Sequence, residues 1–239
     1  MKTALMAGAY ATLLAGAAAA QAAPGGDPDA RADALLKRLP PASVAELLRC
    51  HHPPSLKPLP NGVKLAAGWC PGDPAHGLPA LAETDASLGV ANAGRMPYGH
   101  ETAMPSGVAQ AAGWDGEAAY AGGAMIGEEA RRAGYAIMLA GGVNLARDPR
   151  NGRDFEYVGE DPLLAATIAG NQIRGIQSRR IASTVKHYAL NDQETGRTLL
   201  NVQIDPAAAR ESDLLAFEKA IEIGHPASVM CSYNKVNGD

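Results

Sequence analysis

Residues 180–197 read "RIASTVKHYALNDQETGR". The first half is a short, mostly apolar run rich in β-branched residues, followed by a polar loop, which is the pattern of a buried strand. The run stops at Lys186-His187, a cation beside an imidazole. A solvated strand end and the rim of an active site both account for such a pair, and the surrounding sequence separates them.

Two other stretches share the form: "GYAIMLAGG" (134–142) and "PASVMCSYN" (226–234). The three strands start near Tyr135, Ile181 and Ala227, 46 residues apart both times. A helical stretch precedes each. "WDGEAAYAGGAMIGEEARRAG" offers Asp115 as an N-cap, and "EDPLLAATIAGNQIRGIQSRR" and "DPAAARESDLLAFEKAIEIG" begin with Asp-Pro. Aspartate followed by proline starts a helix well, because proline lacks the N–H that would go unpaired in the first turn. This alternation predicts βαβ units and a parallel sheet. "GLPALAETD" (77–85) reads as an earlier strand and "GVKLAAG" (62–68) as a weaker one.

The strands deliver polar groups at their C-terminal ends: Asp85, the loop "GGVNLARDPRNGRDFEYVGED", Lys186-His187 and Ser232-Tyr233-Asn234. A parallel barrel gathers such ends on one face, and an open doubly wound sheet gathers them along one edge. No glycine fingerprint for a dinucleotide joins a strand to a helix, so the barrel is preferred and no cofactor is expected. The predicted fold is α/β: a (β/α)8 TIM-type barrel, incomplete, with about five βα units. Eight units at this period need roughly 370 residues. The sequence closes on "CSYNKVNGD", directly after a strand. An unpaired edge there is unusual in a soluble protein, so the expectation is a fragment of a longer chain.

The first residues belong to a different function. "MKTALMAGAYATLLAGAAAAQAAPGG" has Lys2, an apolar stretch to Ala20 and a small-residue exit at Ala20-Gln21-Ala22. This is the pattern of a secretory signal peptide (1–22) cleaved after Ala22, and it is short for a membrane span. The expected destination is the periplasm or the medium, with no membrane attachment after cleavage. A Pro- and Ala-rich lead-in follows (23–60), with two short amphipathic helix candidates broken at Pro40-Pro41, and then the partial barrel (61–239). Removing Lys2 moves the net charge from −4 to about −5, which provides no electrostatic footprint for nucleic acid. Of three cysteines, Cys50 and Cys70 can pair in an oxidising compartment. Cys231, in an apolar run, is expected to pack as a small hydrophobe or to have a partner outside this chain. No spacing resembles a metal site, and His51-His52 read as surface residues.

Neutral, hydroxylated ligands such as sugars are held by carboxylates, which accept hydroxyl protons, and by cationic donors. Asp85, Arg153, Lys186 and His187 supply that set, and Tyr233 offers an aromatic wall. Each also has a plain reading. Asp85 can cap a turn, Lys186 can snorkel, and Tyr233 can be core. Arg147, Arg150 and Arg153 can pair with Asp148, Asp154, Glu156, Glu160 and Asp161 to hold a long loop together.

Taken together, "GLPALAETDASLGV", "GGVNLARDPRNGRDFEYVGEDPLLA", "TVKHYALNDQETGR" and "SVMCSYNKVNGD" resemble the N-terminal barrel of glycoside hydrolase family 3, the bacterial β-glucosidase type, in order from Gly77 to Asp239. The resemblance implies a retaining exo-glycosidase acting on a β-glucoside or oligosaccharide. Asp85 would bind hydroxyls at the −1 subsite, with Arg153, Lys186 and His187 on neighbouring hydroxyls and Met230 and Tyr233 lining the ring. It also implies that the nucleophile, an aspartate in a Ser-Asp-Trp-like motif, lies about one βα unit beyond "CSYNKVNG". The acid/base glutamate would usually come from a second domain, so this chain alone is expected to have no turnover. "KHYALNDQETGR" lacks the glycine- and histidine-rich loop of N-acetylglucosaminide-cleaving members, which favours glucosidase- or xylosidase-like ones. The competing readings are a non-catalytic sugar-binding partial barrel and a Schiff-base aldolase using Lys186.

Overall fold

The computed structural model describes residues 27–51, 67–91 and 101–239. The expected signal peptide, His52 and most of the weak strand at 62–68 lie outside them. The chain divides into two compact units, residues 1–44 and 45–239. Helix α1 (Pro28–Leu36) lies in the first, capped by the Asp27 side chain with proline at its first position. Helix α2 (Pro41–Leu47) begins at the second proline of the pair. Both helices are where the sequence places them, but neither buries a residue within its span.

The second unit is built on a five-stranded sheet. Its strands are β1 (Gly68–Cys70), β2 (Leu81–Thr84), β3 (Ile137–Met138), β4 (Ala182–Tyr188) and, after a short β5 (Asn201–Val202), β6 (Ser228–Cys231). The order is β1-β2-β3-β4-β6, and β2, β3, β4 and β6 run parallel. The expectation of about five βα units is corrected here. Five strands share the sheet, but β1 pairs antiparallel with β2, so three βαβ crossovers are present among the described residues. A second, two-stranded sheet of β5 and β7 (Lys235–Val236) was not foreseen.

Helices α3 (Gly107–Ala111) and α4 (Gly116–Ala133) follow β2, α5 (Pro162–Gln177) follows β3, and α6 (Pro206–Glu211) and α7 (Asp213–Gly224) follow β4. Asp115, Asp161 and Asp205 cap α4, α5 and α6 as their sequence positions predict. Helix α4 packs on α5 and α5 on α7, in the same order as the strands. A doubly wound sheet would reverse its strand order at a switch point; this sheet advances in one direction, as a barrel does.

The α4–α5 contact is close because its residues are small. A Cβ on Gly123 would lie 2.2 Å from the Gln172 carbonyl oxygen, and one on Gly175 2.1 Å from that of Tyr120. Ile173, Val185, Ala216, Phe217 and Ala220 form the main core, and Ile126, Met138, Ile176 and Ile181 a second cluster.

Two elements depart from their expected lengths. The strand read at 134–142 is paired as a strand only at Ile137–Met138; beyond it Gly141 adopts φ +122 and Gly142 makes a single bridge to Lys186. The helix read at 205–224 breaks at Ser212, whose hydroxyl bonds back to the Ala208 carbonyl (2.7 Å) and to the Asp213 carboxylate (2.8 Å).

Cys50 and Cys70 form a disulfide, and His51 stacks on Trp69 at 5.1 Å. Cys231 is exposed, which corrects the expectation that it packs as a hydrophobe: β6 is the last strand of the sheet, and Val229 beside it is also exposed. Among the described residues no helix is long and apolar enough to cross a membrane.

Candidate functional site

The parallel strands end on a cluster of charge. Lys186 and His187, the penultimate residues of β4, are buried. The His187 backbone lies where the β4–β6 register shifts. There the side chain of Asn144 stands in for a strand neighbour, accepting from the His187 N–H (2.7 Å) and donating to its carbonyl (3.0 Å). Lys186 Nζ sits 3.0 Å from Glu156 Oε2, and both side chains are 3 % exposed. The other oxygen of Glu156 takes Arg153 Nη1 at 2.5 Å, while Arg153 Nε reaches Glu194 Oε1 at 2.6 Å. Burial works against the Arg153 charge, but Glu156 and Glu194 outweigh it and hold its pKa above the ordinary arginine value.

The hydrogen bonds assign the state of His187. Arg153 Nη1 lies 3.2 Å from His187 Nε2, and a guanidinium only donates, so Nε2 accepts. The proton therefore sits on Nδ1, which faces the Tyr157 hydroxyl at 3.1 Å. That hydroxyl donates to the Asn191 carbonyl (3.1 Å) and accepts from Asn191 Nδ2 (3.0 Å), so its hydrogen-bonding capacity is used. Burial first, then the positive charges of Lys186, Arg153 and Arg197, push the His187 pKa down to about 2. Burial also raises the Tyr157 pKa above its usual value. His187 is a neutral imidazole and Tyr157 a neutral phenol across the physiological range.

Glu194 also pairs with Arg197 (3.1 Å), whose guanidinium lies 4.2 Å from the centre of the Tyr233 ring. Met230 is the β6 residue in register with Lys186. Asp85 follows the end of β2, and its carboxylate bonds to no described residue. It lines a cleft of about 340 Å³ with Phe155 and Glu156. Of the six residues singled out in the sequence, Arg153, Lys186 and His187 thus form one network. Met230 and Tyr233 flank it, and Asp85 shares a cleft with its central carboxylate.

The loop after β3 pairs only partly as the sequence suggests. Arg150 pairs with Asp148 (2.8 Å), and Arg153 with Glu156. Arg147 instead leaves its own loop for Asp192 (3.5 Å) and Asp213. Asn144, Tyr157, Asn191, Glu194 and Arg197 were not singled out. For the last two, the Glu-x-x-Arg spacing just past Lys-His was the available signal. Cys50, Cys70 and Glu83 bring three metal-ligating atoms within 4.8 Å of one another, but the disulfide occupies both sulfurs.

Residues 72–239 match the family described as "Glycosyl hydrolase family 3 N terminal domain". The chain belongs to glycosyl hydrolase family 3. A beta-glucosidase of Bacteroides ovatus is 42% identical over 176 residues, covering 70% of this chain and 24% of that protein. Beta-glucosidase B of Emericella nidulans is 36% identical over 206 residues, covering 84% of this chain and 24% of its own length. Among solved structures, beta-glucosidase 3B from Thermotoga neapolitana in complex with alpha-D-glucose superimposes with a TM-score of 0.80 at 32% identity, covering 87% of this chain and 30% of that one. This family 3 chain therefore spans about a quarter of the length of these curated relatives. Its partial sheet with flanking helices is part of the TIM-barrel-like N-terminal fold of the family.

Proposed function

We propose that this chain forms the sugar-holding side of a retaining, exo-acting β-glucosidase. Asp85, Arg153, Lys186 and His187 would hold ring hydroxyls, and Met230 and Tyr233 would line the ring. The observation that carries the reading is the charge balance of the cluster. Three formal cations (Arg153, Lys186, Arg197) stand with three carboxylates (Glu156, Glu194, Asp85), beside a neutral imidazole. A site for phosphate would carry excess positive charge; this one is dense in hydrogen-bonding groups yet close to neutral, which suits a neutral polyol. Two donors remain for such a ligand. Arg153 Nη2 bonds to no described residue, and Lys186 Nζ has protein contact only with Glu156 among them.

In this reading the residues bind and orient the glucose unit, and their hydrogen bonds strengthen as the ring takes on oxocarbenium character. Retention requires two carboxyl groups about 5–5.5 Å apart across the scissile bond. Glu156 and Glu194 are each committed to two cations, so neither is free to attack or to protonate. The nucleophilic aspartate and the acid/base glutamate would be supplied from beyond Asp239. Pairing with Glu156 likewise leaves Lys186 poorly suited to form a Schiff base. The barrel reading of 61–239, the lead-in at 23–60 and export after cleavage of residues 1–22 belong to the same proposal. The Cys50–Cys70 disulfide supports export, because such bonds persist in oxidising compartments.

The test is a pair of assays on the purified chain. Glucose is expected to perturb the His187 and Tyr233 NMR signals saturably, while nitrophenyl β-glucoside is not hydrolysed above the buffer rate. Clear hydrolysis would overturn the division of labour, and an absence of any glucose-dependent change would overturn the sugar site.

A further inference from the structure

We infer that Glu194 is a positioning residue of this site: its one carboxylate sets the orientation of both Arg153 and Arg197 toward the bound ring. The inference rests on the sugar-site reading above for its consequence, but its geometric content stands apart from it.

Three strand ends meet through this carboxylate. Arg153 comes from the loop after β3, Glu194 and Arg197 from the loop after β4, and Tyr233, under the Arg197 guanidinium, from the residues after β6. Glu194 Oε1 accepts from Arg153 Nε at 2.6 Å and from Arg197 Nη1 at 3.3 Å, while Oε2 lies 3.1 Å from the same Arg197 nitrogen. Asn191 Nδ2 adds a longer contact at 3.4 Å. These cations hold the Glu194 pKa below the ordinary carboxylate value, although burial opposes them.

The carboxylate is itself anchored. The Glu194 N–H donates to the Asn151 carbonyl at 2.8 Å. Its side chain crosses Gly152, where a Cβ would approach the Glu194 Cβ to 3.1 Å and where φ is +92, so both the space and the backbone favour glycine at 152.

The effect on Arg153 is specific. Glu156 holds Nη1 and Glu194 holds Nε, two points that fix the plane of the guanidinium. With that plane fixed, Nη1 also reaches His187 Nε2, and Nη2 is left for a ligand. Without Glu194, Arg153 keeps Glu156 but can rotate about that single contact. Glutamine at 194 keeps one acceptor oxygen but loses the charge, and its amide nitrogen is a donor that would face the Arg197 guanidinium, so its hold on the two arginines is weaker. Aspartate keeps the charge but falls short by about 1.5 Å, enough to hold one arginine but not both.

The experiment uses the whole chain in three forms: wild type, Glu194→Gln and Glu194→Asp. Long-range proton–nitrogen NMR of the His187 imidazole is recorded without sugar, followed by a glucose titration and a thermal denaturation. In Glu194→Gln the His187 Nε2 resonance is expected to move toward that of an unbonded pyridine-type nitrogen, and the glucose Kd to rise about tenfold. Glu194 is only partly buried, so Tm is expected to stay within about 2 °C. Glu194→Asp should fall between the other two in both readings.

An unmoved His187 resonance in Glu194→Gln overturns the inference, whatever happens to glucose affinity, because Arg153 then did not depend on the Glu194 carboxylate charge. A moved resonance with unchanged glucose affinity also overturns it, since positioning then has no consequence. If wild type binds no glucose while the resonance still moves, the sugar reading fails and the hold of Glu194 on Arg153 is upheld. If Glu194→Gln does not fold, the same criteria apply to Glu194→Asp.

Discussion

Two arginines of one loop sit in carboxylate clusters that differ in their number of cations. Arg153 is shared by Glu156 and Glu194, and each of those carboxylates also holds a second cation, Lys186 or Arg197. Arg147 is shared by Asp192 and Asp213, and no cation other than Arg147 pairs with them among the described residues. Asp213 is 0 % exposed, and burial together with its charge raises the Asp192 pKa to about 7. The ingredients are alike, an arginine between two carboxylates, although Glu156 belongs to the same loop as Arg153. In the second cluster, burial and the Asp213 charge outweigh the single cation, and Asp192 keeps a proton. The first cluster faces the cleft and offers free donors, whereas the second ties the β3 loop to the start of α7.

The widest separation between the two should come from deleting each arginine. Arg153→Ala leaves the buried Glu156 with Lys186 alone and exposes Glu194 to Arg197 alone, and should destabilise by about 3 kcal/mol in urea denaturation. Arg147→Ala leaves two carboxylates facing each other, but a proton can relieve them, so its cost should be about 2 kcal/mol at pH 8 and clearly less at pH 5. Equal pH dependence in the two variants would break the contrast.

A smaller effect isolates the retained proton. Asp192 has a folded pKa of about 7 against an ordinary 3.8, so the folded state holds a proton that the unfolded state releases between those values. Its contribution to stability therefore falls as pH rises from 3.8 to about 7. His187 runs the other way: with its pKa pushed down to about 2 from 6.5, the folded state refuses a proton that the unfolded state takes, and stability falls as pH drops through that window. From pH 4 to 6.5 these two slopes oppose each other. Asp192→Asn should remove one of them, gaining about 1–2 kcal/mol relative to wild type between pH 4 and pH 8 and uncovering the His187 loss toward acid. Parallel stability curves for variant and wild type would reject the assignment to Asp192.

The smallest effect is expected at the third arginine of the loop. Arg150 pairs with Asp148 at the surface, and that pairing lowers the Asp148 pKa to about 2. Both groups are solvated, so Arg150→Ala should leave the denaturation midpoint unchanged within error. A measurable loss there would mean that proximity in the loop, rather than burial, sets the value of these pairs.

Much of this architecture was legible in the chain. The helix starts at Asp115, Asp161 and Asp205 and the strand at 182–188 depend on neighbours within a few residues, and sequence reading recovered them. The expectation of a parallel sheet did not foresee that β1 pairs antiparallel, because strand direction depends on which edge a segment joins and not on its composition. The helix read at 205–224 looked continuous, because the break at Ser212 goes with a contact between Asp213 and an arginine 66 residues away. Among the site residues, Lys186-His187 stood out because they interrupt an apolar run. Asn144 and Tyr157 did not, because each acts on His187 from a distant place in the chain.

The sequence by itself determined the βα period, the helix caps, the family and the positions at which strands hand polar residues to one face, because all of these are written in local order and spacing. Only the tertiary structure decided which carboxylate meets which cation, that His187 is neutral with its proton on Nδ1, and that Asp192 has a raised pKa. Ionisation follows the charges and the solvent that surround a group in space, and the partners of these groups are brought together from separate strand ends by folding.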